Sequence, residues 1–182
     1  TAAVLAWLLV EKIRDGHATS LGAASGVVAG LVAITPACAY VDTWGALAIG
    51  VIAGAITALA VGLKYRFGYD DSLDVVGVHL VGGIVGTVLI GLFGTTSVNE
   101  FSANGLLYGG GISQLIKQVE AAAIVLVFSF VVTYILGTIL SKTIGFRVSR
   151  DEELEGVDIA LQAESAYDLV ESSKGSSKGK SA

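Results

Sequence analysis

One imidazole interrupts a long apolar run. His79 lies in Asp-Val-Val-Gly-Val-His-Leu-Val-Gly-Gly (residues 74–83), and no acidic or other basic residue occurs between 75 and 99. An ionisable side chain in hydrocarbon is costly and marks an ion or proton path by default; in an aqueous core the same histidine would more simply bond a neighbouring helix. A neutral imidazole donates from one ring nitrogen and accepts at the other, which suits a proton relay. A metal site would need further ligands, and none stands near; the single cysteine, Cys38, offers neither an internal disulfide nor a zinc spacing. No metal and no cofactor are expected. Before the histidine comes Asp70-Asp71-Ser72-Leu73-Asp74, where Asp71 as N-cap and Asp74 three positions on approximate a capping box. Capping accounts for Asp70 and Asp71. For Asp74, about one turn from His79, a structural cap and a role in shaping the field along a cation path stand equally. Ser25 and Thr35 are small hydroxyls that by themselves would bond the carbonyl one turn back. His17 reads as a solvated loop residue, and Lys117 and Glu120 have a spacing that permits a helical pair.

The elements that must position these groups follow from the charge map. The chain has 182 residues, 53% hydrophobic and only 15% charged, with a mean hydropathy of +0.75, against about 25% charged in an ordinary soluble domain. This excludes general disorder, and a net charge of −5 gives no reason to expect nucleic acid as a partner. Residues 21–41, 43–63, 75–99 and 121–141 are uncharged but for His79. Each reaches the roughly 20 residues that cross a ~30 Å hydrocarbon core, so four membrane helices are expected, preceded by about half a span at 1–10. The expected class is an all-α membrane protein in a lipid bilayer. Lys12 and Arg14, Lys64 and Arg66, and Lys142, Arg147 and Arg150 follow alternate spans, while Asp42 and the 95–118 segment mark the other side. Basic loops lie inside, which puts the C-terminus in the cytoplasm. The chain opens on Thr1 within an apolar run and contains no methionine, so it is expected to be the C-terminal piece of a longer protein.

Glycine recurs every four residues at Gly22, Gly26 and Gly30, at Gly50 and Gly54, and at Gly82 and Gly86. Residues four apart share a helix face, and small residues there let helices approach closely in a membrane, so a compact bundle is expected. Pro36, the only proline, should kink the first full span or loosen its far end. Trp44 opens the next span as an interfacial aromatic, and Cys38 reads as a small packing residue.

Together, the 21–40 run LGAASGVVAGLVAITPACAY and the 70–79 run DDSLDVVGVH resemble the Amt/Mep/Rh ammonium transporter family on its bacterial Amt branch, over about residues 1–169. The resemblance implies an eleven-helix bundle with two inverted halves, assembled as a homotrimer with one pore per subunit. This chain would supply the end of helix seven and helices eight to eleven. It implies that His79 is the second of twin pore histidines, Ser25 a serine near the cytoplasmic end of the path, and Val75 a hydrophobic wall residue. It further makes Thr35 the pore-side threonine of the Thr-Pro pair and Asp74 the acidic residue of the histidine motif. The first histidine, the outer aromatic cation site and the phenylalanine gate belong to earlier helices in that family. The implied activity is ammonium transport across the cytoplasmic membrane, with deprotonation and passage of ammonia past the histidines. A sensor of the same fold or a passive ammonia channel are the alternatives. A polytopic enzyme would need more convergent polar groups than one histidine and two hydroxyls.

From Arg147 to Glu171 the chain carries eight acidic and two basic residues. Gly145-Phe-Arg147-Val-Ser, Glu155-Gly156-Val-Asp158 and Glu164-Ser-Ala-Tyr167 resemble the family's cytoplasmic C-terminal region. That implies a regulatory segment which touches neighbouring subunits and helps dock a PII-type signalling protein. The expected division is therefore membrane helices at 1–143, a cytoplasmic regulatory region at 144–171, and a disordered Ser/Gly/Lys tail at 172–182.

Overall fold

A computed structural model of the chain describes residues 1–164. Tyr167 and the 172–182 tail lie outside the described residues. Among the described residues seven α-helices and three short helical turns follow one another: α1 (Ala2–Asp15), α2 (Ser20–Ile34), α3 (Thr43–Ala60), α4 (Leu63–Phe67), a π-helical turn at Val76–Leu80 running into α5 (Val81–Phe93), a 3-10 turn at Leu106–Tyr108, α6 (Ser113–Thr143), α7 (Arg150–Glu155) and a second π turn at Asp158–Gln162. The described residues contain no strand, only a single antiparallel bridge between Val41 and Gly94.

Two units are distinguished, Thr1–Ser129 and the residues from Phe130 onward. In the first, α1, α2, α3 and α5 pack on one another around small side chains. One cluster joins Ala33, Ala37, Val41, Ile49, Ala53, Leu89 and Ile90; another joins Trp7, Ala29, Ala58 and Val78. The glycine spacing has the consequence expected of it. A Cβ on Gly54 would strike the backbone of Ala3, and one on Gly86 the backbone of Ala33, so these helices touch backbone to backbone. Close approach of this kind maximises dispersion where no hydrophobic force between helices exists.

Among the described residues three helical stretches are long and apolar enough to cross a membrane: Thr43–Phe67, Val76–Phe93 and Ser113–Thr143. The first apolar run differs from the four-span expectation. Its helix, α2, stops at Ile34 after 15 residues, and residues 35–40 form turns. Pro36 is the reason, since its ring excludes both the helical N–H bond and the carbonyl of residue 32. Cys38 falls in these turns and is exposed, so it is not the packing residue expected. On α6 none of the residues is buried, and its bilayer-length apolar surface is suited to lipid chains or other helices. Lys117 and Glu120, both on α6, form no ion pair; among the described residues the pairs are Arg14–Asp15, Lys64–Asp74 and Arg147–Glu153.

Loops are fastened by side chains at helix ends. Thr19 caps α2 by accepting from the Gly22 N–H at 2.8 Å, and it donates to Glu11 from both its backbone N–H (2.9 Å) and its hydroxyl (2.8 Å). Asp42 caps α3 through the Gly45 N–H at 2.8 Å and accepts the Tyr108 hydroxyl at 2.6 Å. In the second unit, Ser149 and Glu152 close a capping box at the start of α7.

Candidate functional site

The helix that carries His79 starts differently from the expected capping box. Asp71 alone caps it: one carboxylate oxygen accepts the Val75 N–H at 2.7 Å and the other the Val76 N–H at 2.9 Å. Asp74 does not close the box. Its backbone is left-handed, with φ of 57°, and its carboxylate pairs with Lys64 at 2.7 Å. The Asp74 carboxylate is engaged by Lys64, while the first N–H groups of the helix are taken by Asp71.

His79 itself sits in the π turn Val76–Leu80. Single π turns within α-helices are rare and recur at functional sites. The turn widens the helix where the imidazole emerges, and His79 is exposed rather than buried in the bundle. It opens into an apolar groove of about 590 Å³ whose walls are Thr35 and Pro36 at the end of α2, Gly83 and Thr87 on α5, and Val125 and Ser129 on α6. The polar groups facing this space are few: the imidazole and the hydroxyls of Thr35, Thr87 and Ser129. The Thr35 hydroxyl donates to the Leu31 carbonyl at 2.6 Å, which leaves its oxygen lone pairs available to accept. The lining is otherwise apolar, and of these groups the imidazole is the one that can both accept and donate a proton through its ring nitrogens.

Two further cavities lie toward the ends of the same helix. Beyond Pro36 and Thr87, which it shares with the groove, a cavity of about 410 Å³ is lined by Tyr40, Phe101, Gln114 and Gln118. At the other end, a cavity of about 370 Å³ is lined by Arg14, Asp15, Lys64, Tyr65 and Asp74. Arg14 also donates to the Ala58 carbonyl at 2.7 Å, satisfying one of the orphan acceptors at the end of α3.

Of the sequence-derived site residues, His79 and Thr35 meet in one groove. Ser25, half-buried on α2, and Val75, half exposed at the start of the π turn, do not line it, and Asp74 faces the cavity with Lys64 and Arg14. In the second unit Arg147 pairs with Glu153 at 3.5 Å, Glu155 ends α7, Gly156 takes φ of 109° and Asp158 opens the second π turn. Thr87 and Gly83 escaped the sequence reading although their signal was present: they follow His79 at steps of four, the spacing of one helix face. Among the described residues no three His, Cys, Asp or Glu side chains converge to hold a metal.

The family model described as Ammonium Transporter Family matches residues 1–167. An ammonium transporter from Mycobacterium tuberculosis (strain ATCC 25618 / H37Rv) is 56% identical over 174 residues, covering 93% of this chain and 36% of that protein. The crystal structure of Saccharomyces cerevisiae Mep2 superposes with a TM-score of 0.76 at 34% identity, covering 82% of this chain and 35% of that one. A structure titled Sensor Amt Protein superposes with a TM-score of 0.74 at 26% identity, covering 88% of this chain and 38% of that one. The chain thus spans little more than a third of the length of the proteins it matches.

Proposed function

The chain belongs to the ammonium transporter family, and we propose that it forms one side of a transport path for ammonium and ammonia, with the His79 groove as the path. The observation that supports this is the wide helical turn that delivers a lone imidazole into an apolar groove. A bare ammonium cation is expensive in such a groove. Ammonium therefore gives up its proton on entry, becoming ammonia. Ammonia, small and neutral, crosses the groove past Thr35 and Thr87. The proton passes separately through the imidazole, which takes it at one nitrogen and releases it from the other, and the two recombine beyond. His79 works with the second histidine that the family resemblance implies, supplied by residues outside this chain. Ser25, near the cytoplasmic end, and Val75, as a hydrophobic wall residue, take the roles the family resemblance implies on the continuation of the path beyond the groove, and Asp74 that of the acidic residue of the histidine motif.

The complete transporter sits in the cytoplasmic membrane with the loops at 11–20 and 64–74 and the C-terminus inside. It assembles as a homotrimer, and residues 144–171, with Arg147, Glu155, Gly156, Asp158 and Tyr167, dock a PII-type signalling protein. A sensor that carries little flux is the second reading, favoured by the likeness to the sensor structure; uptake by the wild-type protein separates the two.

Gly83 allows a direct test of the groove, because nothing lies within 4 Å of a Cβ built there. Gly83→Leu places an apolar side chain in the groove from a position whose Cβ meets no neighbour. Uptake of labelled methylammonium by the complete transporter should then fall by about tenfold or more at equal membrane abundance, as misplaced geometry does at reacting sites. Undiminished uptake by Gly83→Leu would overturn the proposed path.

A further inference from the structure

We infer that Lys64 is a positioning residue for His79, fixing the point at which the π turn begins; the inference rests on the reading of the His79 groove as the path. Lys64 lies on the short helix α4, and its ammonium does two things at once. It pairs with the Asp74 carboxylate at 2.7 Å and donates to the Asp71 carbonyl at 3.0 Å. Neither partner is fully exposed, with side-chain exposures of 16% for Lys64 and 32% for Asp74, so the pair is held more firmly than a loose surface contact.

Both acidic residues govern the helix start. Asp71 occupies the N–H groups of Val75 and Val76 with its two oxygens, and the Asp74 carbonyl accepts the Val78 N–H at 2.8 Å, a bond of α spacing that leads into the π turn. Asp74 does this from a left-handed conformation, φ 57°, which aspartate adopts more readily than most residues with a Cβ but less readily than glycine. The Lys64 ion pair is the contact its side chain makes there. The same turn is pressed on the preceding element at Gly77, where a Cβ would come within 2.8 Å of the Val61 Cα, three residues before Lys64. A clamp and a close contact thus fix the π turn against the junction of α3 and α4.

Register matters because His79 is the fourth residue of that turn. A start displaced by one residue rotates every following side chain by roughly 100° and swings the imidazole out of the groove. A pair that served only stability would leave His79 where it is when broken.

The test compares Lys64→Met, Lys64→Arg and the double variant Lys64→Met/Asp74→Gly in the complete membrane-embedded transporter. Carbethoxylation of His79 by diethyl pyrocarbonate is followed by mass spectrometry, with His17, in the loop after α1, as the internal standard. Lys64→Met should change the His79/His17 ratio by about threefold or more, and uptake should fall with it, as orientation-dependent steps do. Lys64→Arg should keep the wild-type ratio. The double variant should restore that ratio, because glycine adopts φ 57° without needing a clamp. An unchanged ratio in Lys64→Met, or a double variant that stays as altered as Lys64→Met, overturns the inference. Should His79→Ala leave uptake intact, the path reading falls, while the labelling ratio still decides whether Lys64 places the imidazole.

Discussion

At the scale of single residues, the helix bearing His79 is organised by one carboxylate and one ion pair. Asp71 satisfies two of the four N–H groups that a helix leaves unbonded. Asp71→Ala should lower thermal stability by about 1–2 kcal/mol, the usual cost of losing an N-cap, and a melting curve in detergent checks it. An unchanged melting temperature would show that the cap is dispensable. His79 was legible in the sequence because a lone imidazole among aliphatic residues stands out against its surroundings. The role of Asp74 was not. Its partner Lys64 lies ten residues away across a turn, and its positive φ leaves no trace in residue type, since aspartate fits a cap and a left-handed turn equally well. The π turn was hidden for a related reason: Val75, Val76, Gly77 and Val78 carry no polar side chain, and the single His79 after them cannot by itself reveal a change of period.

At the scale of elements, glycine placement separates contact from open space. Gly86→Ala drives a methyl into the backbone of Ala33 and should destabilise the protein by about 1–3 kcal/mol. Gly137→Ala on α6 meets nothing within 4 Å and should be neutral or stabilising, since alanine is the better helix former by about 1 kcal/mol. Equal effects of the two substitutions on thermal unfolding would contradict the packing described. Here the sequence was informative, because glycine every fourth residue of an apolar helix clears one face for a neighbouring backbone. Helix ends were less legible: Pro36 signalled a disturbance but not that α2 would stop two residues before it. The link between Asp42 and Tyr108, 66 positions apart, has no sequence signature. The Tyr108 hydroxyl, aided by the Gly45 N–H, holds the Asp42 carboxyl below the usual carboxylate range, and the Asp42 charge raises the Tyr108 phenol above its ordinary value through the same bond. A lowered carboxylate contributes stability above its unfolded value and loses it as pH falls through the folded one; a raised phenol contributes below its unfolded value and loses it as pH rises through the folded one. The link should therefore hold across the whole neutral range. In Tyr108→Phe the Asp42 carboxyl should titrate closer to its usual value, so the acid-side loss of stability should shrink and be complete at a higher pH. An acid limb unchanged by that substitution would argue against the bond.

At the scale of the molecule, the chain supplies a bundle of close-packed helices, one groove and an acidic C-terminal region, and it covers little more than a third of the relatives' length. The hydropathy runs made the helical membrane architecture legible, because they follow from the cost of charge in hydrocarbon. A regulatory role for residues 144–171 is proposed from the resemblance alone, as an acidic surface segment is equally consistent with simple solubility. Removing residues 172–182 should leave both uptake and binding of the PII-type protein unchanged; a large loss of either would show that the tail is functional. The central claim, that His79 separates the proton from ammonia in an apolar groove, is tested most directly by the ammonium-to-potassium selectivity of currents through the complete transporter carrying His79→Asp. A carboxylate in place of the imidazole would stabilise intact cations, so selectivity against potassium should collapse or the coupling of charge to ammonia should change. Currents and selectivity indistinguishable from wild type would contradict the account.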